Sequence, residues 1–71
     1  MNETTKAVLK DIVDDILEEM DELTEDKNKK ENWWQLLAYA TSLSRIRMRI
    51  DEDVWQDFNI DFDIDGKYLL S

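Results

Sequence analysis

Between Asp11 and Asp26 the chain places nine carboxylates and no base, in a stretch whose apolar residues recur at helical spacing. At about 100° per residue, Asp11, Asp14, Asp15, Glu18, Glu22 and Glu25 fall within one arc. Leu9, Ile12, Val13, Ile16, Met20 and Leu23 occupy the opposite arc, and Val8 and Leu17 widen that stripe. The segment therefore reads as a single amphipathic helix with one face to bury and one that stays in water. Asn2 is a suitable N-cap, and the spacing predicts a helix from about residue 3 to residue 24.

This acidic face is locally unfavourable. Like charges four residues apart cost about 0.2–0.5 kcal/mol each, and Asp11/Asp15, Asp14/Glu18, Asp15/Glu19, Glu18/Glu22, Asp21/Glu25 and Glu22/Asp26 all have that spacing. The acids of the last turn also oppose the helix dipole. A costly choice repeated this often points to a surface kept for binding something basic. Its competing reading is a solvated face that confers solubility.

Seventy-one residues form one domain, 1–71, near the lower limit of what folds alone. There is no cysteine and no histidine, so neither a disulfide nor the usual zinc ligands can help. The hydrophobic fraction of 42% suits a compact core rather than a disordered tail. No apolar run approaches membrane-spanning length, and the N-terminus resembles neither a signal nor a transit peptide. The expectation is a soluble cytoplasmic protein without a membrane partner.

The net charge of −9 is unevenly spread. Residues 1–26 carry ten acids and two bases, residues 27–50 six bases and one acid, and residues 51–71 seven acids and one base. Such a balance argues against nucleic acid or an anionic membrane as a direct ligand and favours a basic protein partner.

Asn28 followed by Glu31 has capping-box spacing, so a second helix is predicted over about 29–43. Trp33, Leu36, Leu37, Ala40 and Leu43 share its inner face, and the short connection implies an antiparallel pair. From Arg45 the pattern changes: Arg45, Arg47 and Arg49 alternate with Ile46, Met48 and Ile50. Period two predicts a half-buried strand over 45–50, although no Gly or Pro forbids a helix running to Ile50. Asp51, Glu52 and Asp53 before Val54, Trp55 and Phe58 suggest a helical turn with acids at its start. Phe58, Ile60, Phe62 and Ile64 then alternate with Asn59, Asp61 and Asp63, predicting a strand over 58–64. Asp65-Gly66 suits a type I′ hairpin turn into a return strand over 67–70. In that arrangement Arg47 lies within reach of Asp61 or Asp63.

The fold expected is therefore α+β: an antiparallel helix pair followed by a small antiparallel sheet. Its core is Ile12, Val13, Ile16, Met20, Leu23, Trp33, Leu36, Leu37, Ala40, Leu43, Ile46, Met48, Ile50, Phe58, Ile60, Phe62 and Ile64. Exposed sheet edges and a small core favour a homodimer over a monomer.

The sequence offers little for catalysis. Without His or Cys, and with one glycine, neither a nucleophilic triad nor a phosphate loop can be assembled. Asp61, Asp63, Asp65 and Gly66 imitate the start of a calcium loop, but Ser71 stands one residue short of the required bidentate Glu. An Asp-Gly hairpin explains those residues better. No enzyme activity, metal or cofactor is implied.

Trp34 lies about 100° around the second helix from Trp33. It either packs beneath the sheet or serves as an aromatic anchor at an interface. The expected partner-binding set is Asp11, Asp14, Asp15, Glu18, Glu22, Glu25 and Trp34. Two functions remain in view. One is a non-enzymatic inhibitor that masks a basic, nucleic-acid-binding protein, with carboxylates spaced like phosphates. The other is a structural or assembly protein whose charge serves solubility and whose apolar surface makes the contacts.

Overall fold

A computed structural model of the protein describes residues 2–25 and 30–69. Every regular element within them is helical: α1 (Glu3–Thr24), α2 (Lys30–Arg49), α3 (Glu52–Gln56) and α4 (Ile64–Tyr68). The molecule is elongated, 40 × 18 × 17 Å, because α1 and α2 run side by side for most of its length. They are antiparallel: Leu9 near the start of α1 lines one groove with Ile46 and Ile50 at the end of α2.

The first helix follows the local rules. The Oδ1 of Asn2 accepts from the backbone N–H of Thr5 at 2.7 Å, satisfying a donor that the helix itself cannot. Helix α1 buries Val13 and Met20, while Leu9, Ile16, Leu17 and Leu23 are half-buried against the core. Helix α2 contributes Leu36, Ala40 and Leu43. The core is closed by Val54 and Trp55 of α3, by Phe58 after it, and by Tyr68 of α4.

The expected α+β architecture is wrong, because the described residues contain no strand. Helix α2 continues through 45–50 as far as Arg49. Nothing in that segment stops a helix, and Arg47 and Arg49 in its last turn oppose the negative end of the dipole favourably. Ile46 and Ile50, four residues apart, are half-buried against the core, whereas Met48 is 83% exposed. Arg47 would be awkward on an apolar face, but its guanidinium lies 5.6 Å from the centroid of the Trp55 ring. A cation over an indole face is attracted by the ring quadrupole, so the helix tolerates that residue. The capping-box residue Asn28 lies outside the described residues.

The turn expected at 51–55 forms as α3, with Asp51 as its N-cap and its carbonyl accepting from the N–H groups of Val54 and Trp55 at 3.1 Å. Beyond it the expected strand 58–64 is an irregular strap. Asn59 adopts the left-handed region at φ 59°, which reverses the chain just after α3. Phe58 is buried, and Ile60, Phe62 and Ile64 are half-buried, so the alternation reports a chain lying along an apolar surface without a pairing partner.

The expected Asp65-Gly66 hairpin is replaced by α4, in which Gly66 has no positive φ. The return strand 67–70 is likewise absent over 67–69, and its last residue lies outside the described residues. The core list also needs revision. Ile12, Met48 and Trp33 are exposed, while Val54, Trp55 and Tyr68 are buried in their place.

Candidate functional site

The carboxylates of the ridge are positioned by α1 alone. Its apolar stripe fixes the rotation of the helix, and the opposite face then carries Asp11, Asp14, Asp15, Glu18 and Glu22 into solvent, with Glu25 at the C-cap. All six are exposed. Among the described residues one base reaches this face: the Lys10 Nζ lies 3.0 Å from Asp14 Oδ2 in an exposed i,i+4 pair. Lys6 points elsewhere and pairs with Asp57 after α3. That hydrogen bond holds the Lys6 ammonium above its ordinary pKa, with further help from the Asp57, Glu3 and Asp53 charges and against its own desolvation.

Asp21 stands apart from the ridge. Its Oδ1 accepts from the Tyr68 hydroxyl at 2.6 Å and lies 4.0 Å from Lys67 Nζ. Burial, followed by the hydrogen bond to Asp21 and its charge, pushes the Tyr68 phenol well above its ordinary range. Asp21 is thus a structural carboxylate that ties α4 to α1.

Trp34 does not pack beneath a sheet, since the described residues contain none. It is 54% exposed, and its ring meets that of Trp33 edge-on, with centroids 5.0 Å apart and planes at 79°. Trp33, expected in the core, is 36% exposed. The two indoles form an aromatic platform at the N-terminal end of α2. The pairing of adjacent residues was not legible in the sequence, since their helical directions differ by about 100° and only large, flexible rings close that gap.

A second feature was missed in the sequence. A cleft opens between the C-terminal half of α2, α3 and the strap, with Arg47 and Trp55 on one side and Asp61, Asp63 and Asp65 on the other. Arg47 lines this cleft together with Asp61 and Asp63 but forms a salt bridge with neither, so the contact expected across the sheet is not made. Among the described residues no group of three or more His, Cys, Asp or Glu side chains converges as a metal site would require. No helix among them is long and apolar enough to cross a membrane.

What the arrangement supplies is a regular row of negative charge. Carboxylates on one rigid helix face recur every 5–6 Å or so, fixed by a buried stripe on the other side. Set against protein-family models, curated proteins and solved structures, the chain finds no match.

Proposed function

We propose that the protein is a non-enzymatic acidic binder whose α1 ridge docks on a basic, nucleic-acid-binding protein and masks it. The observation that carries this reading is the exposed line of Asp11, Asp14, Asp15, Glu18, Glu22 and Glu25, against which Lys10 is the one base set among the described residues. Successive carboxylates at helical spacing approximate the separation of phosphates along a nucleic-acid strand. A site built from Lys and Arg to hold that strand would accept the ridge, and the exposed Trp33–Trp34 pair on α2 offers a separate aromatic contact.

The test is retention of host proteins on the immobilised chain, eluted by a salt gradient and separately by duplex DNA. The reading expects a basic nucleic-acid-binding protein that leaves as salt rises and is displaced by DNA. The triple change Asp14→Gln, Glu18→Gln and Glu22→Gln should abolish retention. Binding that survives unchanged in that variant at low salt reduces the ridge to a solvated surface.

The assembly-protein alternative is favoured by a different observation, the exposure of Val8, Ile12, Trp33, Trp34 and Met48. It expects contacts that persist or strengthen in salt, since apolar burial is not screened.

A further inference from the structure

One side of the α1–α2 pair is left uncovered by the other described residues. On α1, Lys6 reaches Asp57 and Asp21 reaches Tyr68. Val8 and Ile12 lie about 120–180° around the helix from those two residues, at about 100° per residue. They are 55% and 47% exposed. Leu9 joins them to the neighbouring helix: it lines one shallow groove with Val8 and Ile12 and a second with Arg45 and Arg49. An apolar strip on α1, edged by Asp11 and Asp15, therefore runs beside a basic strip on α2. Neither Arg45 nor Arg49 forms an ion pair among the described residues.

We propose that this side is the interface of a homodimer in which α1 of each copy lies over α2 of the other. A two-fold axis parallel to the helices exchanges the two strips while keeping the ends of the molecule level. Because Leu9 already stands level with the last turn of α2, Val8 and Ile12 of one copy come to face Arg45 and Arg49 of the second. Each arginine then lays its aliphatic stem on the apolar strip and carries its guanidinium to Asp11 and Asp15. The contact is isologous and closes on itself.

Charge selects this occupant and this side. Two chains at −9 each repel through their acidic ridges and through residues 51–71. A face on which an acidic strip and a basic strip lie side by side, so that rotation brings opposites together, is where two copies approach without that penalty. Further along the basic strip Ser42 donates its hydroxyl to the Ala38 carbonyl at 2.9 Å, so it can be covered without orphaning a donor. Asp14 and Glu18 lie further around α1 from the strip, at about 100° per residue, and remain outward in the dimer, so that part of the ridge stays open to its own partner while Asp11 and Asp15 are committed to the second copy.

Analytical ultracentrifugation of the full chain tests this, alongside Ile12→Glu and the double variant Arg45→Glu/Arg49→Glu. The wild type should sediment at twice its 8.5 kDa chain mass and dissociate as salt rises. Both variants should be monomeric with unchanged helical circular dichroism. All three substituted sites are exposed and outside the core, and the arginine variant tests the face even where Ile12→Glu lowers stability. Adding Asp11→Arg and Asp15→Arg to the arginine variant should restore the dimer. A wild type that is monomeric at every concentration, whether or not another protein covers the face, overturns the proposal. So does a dimer that both variants leave intact, or a charge reversal on both strips that restores nothing.

Discussion

The hydroxyl of Tyr68 donates to Oδ1 of Asp21 at 2.6 Å, a bond between residues 47 positions apart that fastens the last described helix to the first. Around it, the Phe62 ring meets the Tyr68 ring edge-on at 6.2 Å, and Lys67 Nζ sits 4.3 Å from the Phe62 centroid. A five-residue helix is far too short to persist alone. This cluster of contacts holds it.

Tyr68→Phe should therefore cost about 1.5 kcal/mol, the low end for a hydrogen bond to a charged acceptor because Asp21 is exposed. The same residue sets an alkaline limit. A phenol whose folded pKa is raised contributes stability that is fully present below its unfolded value of about 10 and is lost as pH climbs towards the folded value. Urea midpoints should fall between roughly pH 10 and pH 12, and fall less steeply in Tyr68→Phe. Parallel curves for the two proteins would show that another group is responsible.

Gly66→Ala distinguishes α4 from a hairpin. In a type I′ turn this position needs positive φ and alanine would be strained. In α4 it does not, and removing glycine's backbone freedom should stabilise by about 0.5–1 kcal/mol. A Cβ would meet Asp63 Oδ2 at 2.9 Å, but that oxygen ends a side chain that makes no capping hydrogen bond and can rotate away. Thermal melts that shift downward by several degrees would count against the helix.

Glu18→Gln and Glu22→Gln together remove two like-charge i,i+4 spacings within α1, those of Asp14/Glu18 and Glu18/Glu22. Stability at low salt should rise by about 0.4–1 kcal/mol, and the gain should shrink as added salt screens the repulsion in the wild type. A variant no more stable than wild type in dilute buffer would mean that the ridge carries no electrostatic cost.

Leu36 is fully buried where α2 meets the core. Leu36→Ala should cost about 2–5 kcal/mol through lost transfer energy and the cavity left behind. Against a total of roughly 4–11 kcal/mol for a chain of this size, much of the population should unfold at 37 °C, read as lost helical signal. The exposed Met48→Ala should change stability by less than about 0.5 kcal/mol. An equal cost at both positions would place Met48 in a core after all.

Where one periodicity ran unopposed, the sequence was sufficient. Twenty-two residues of helical spacing with Asn2 before them specified α1 and turned its carboxylates outward, so the exposure of the ridge was legible in the sequence. The acids of 51–53 likewise announced α3. Residues 45–50 and 58–64 carried a period of two, and there the sequence was ambiguous, because a strand needs a partner that no local pattern supplies. For 45–50, continuing α2 kept every backbone hydrogen bond, brought Ile46 and Ile50 toward the core and placed Arg47 over Trp55, so an established helix outcompeted an unpaired strand. For 58–64, half-burial of Ile60, Phe62 and Ile64 along the core satisfied the alternation without a ladder, and the Asp21–Tyr68 bond set the helical turn that follows. Local spacing decides which face of a helix is apolar. Only the assembled core decides whether a short alternating segment finds a strand to pair with or a surface to lie on.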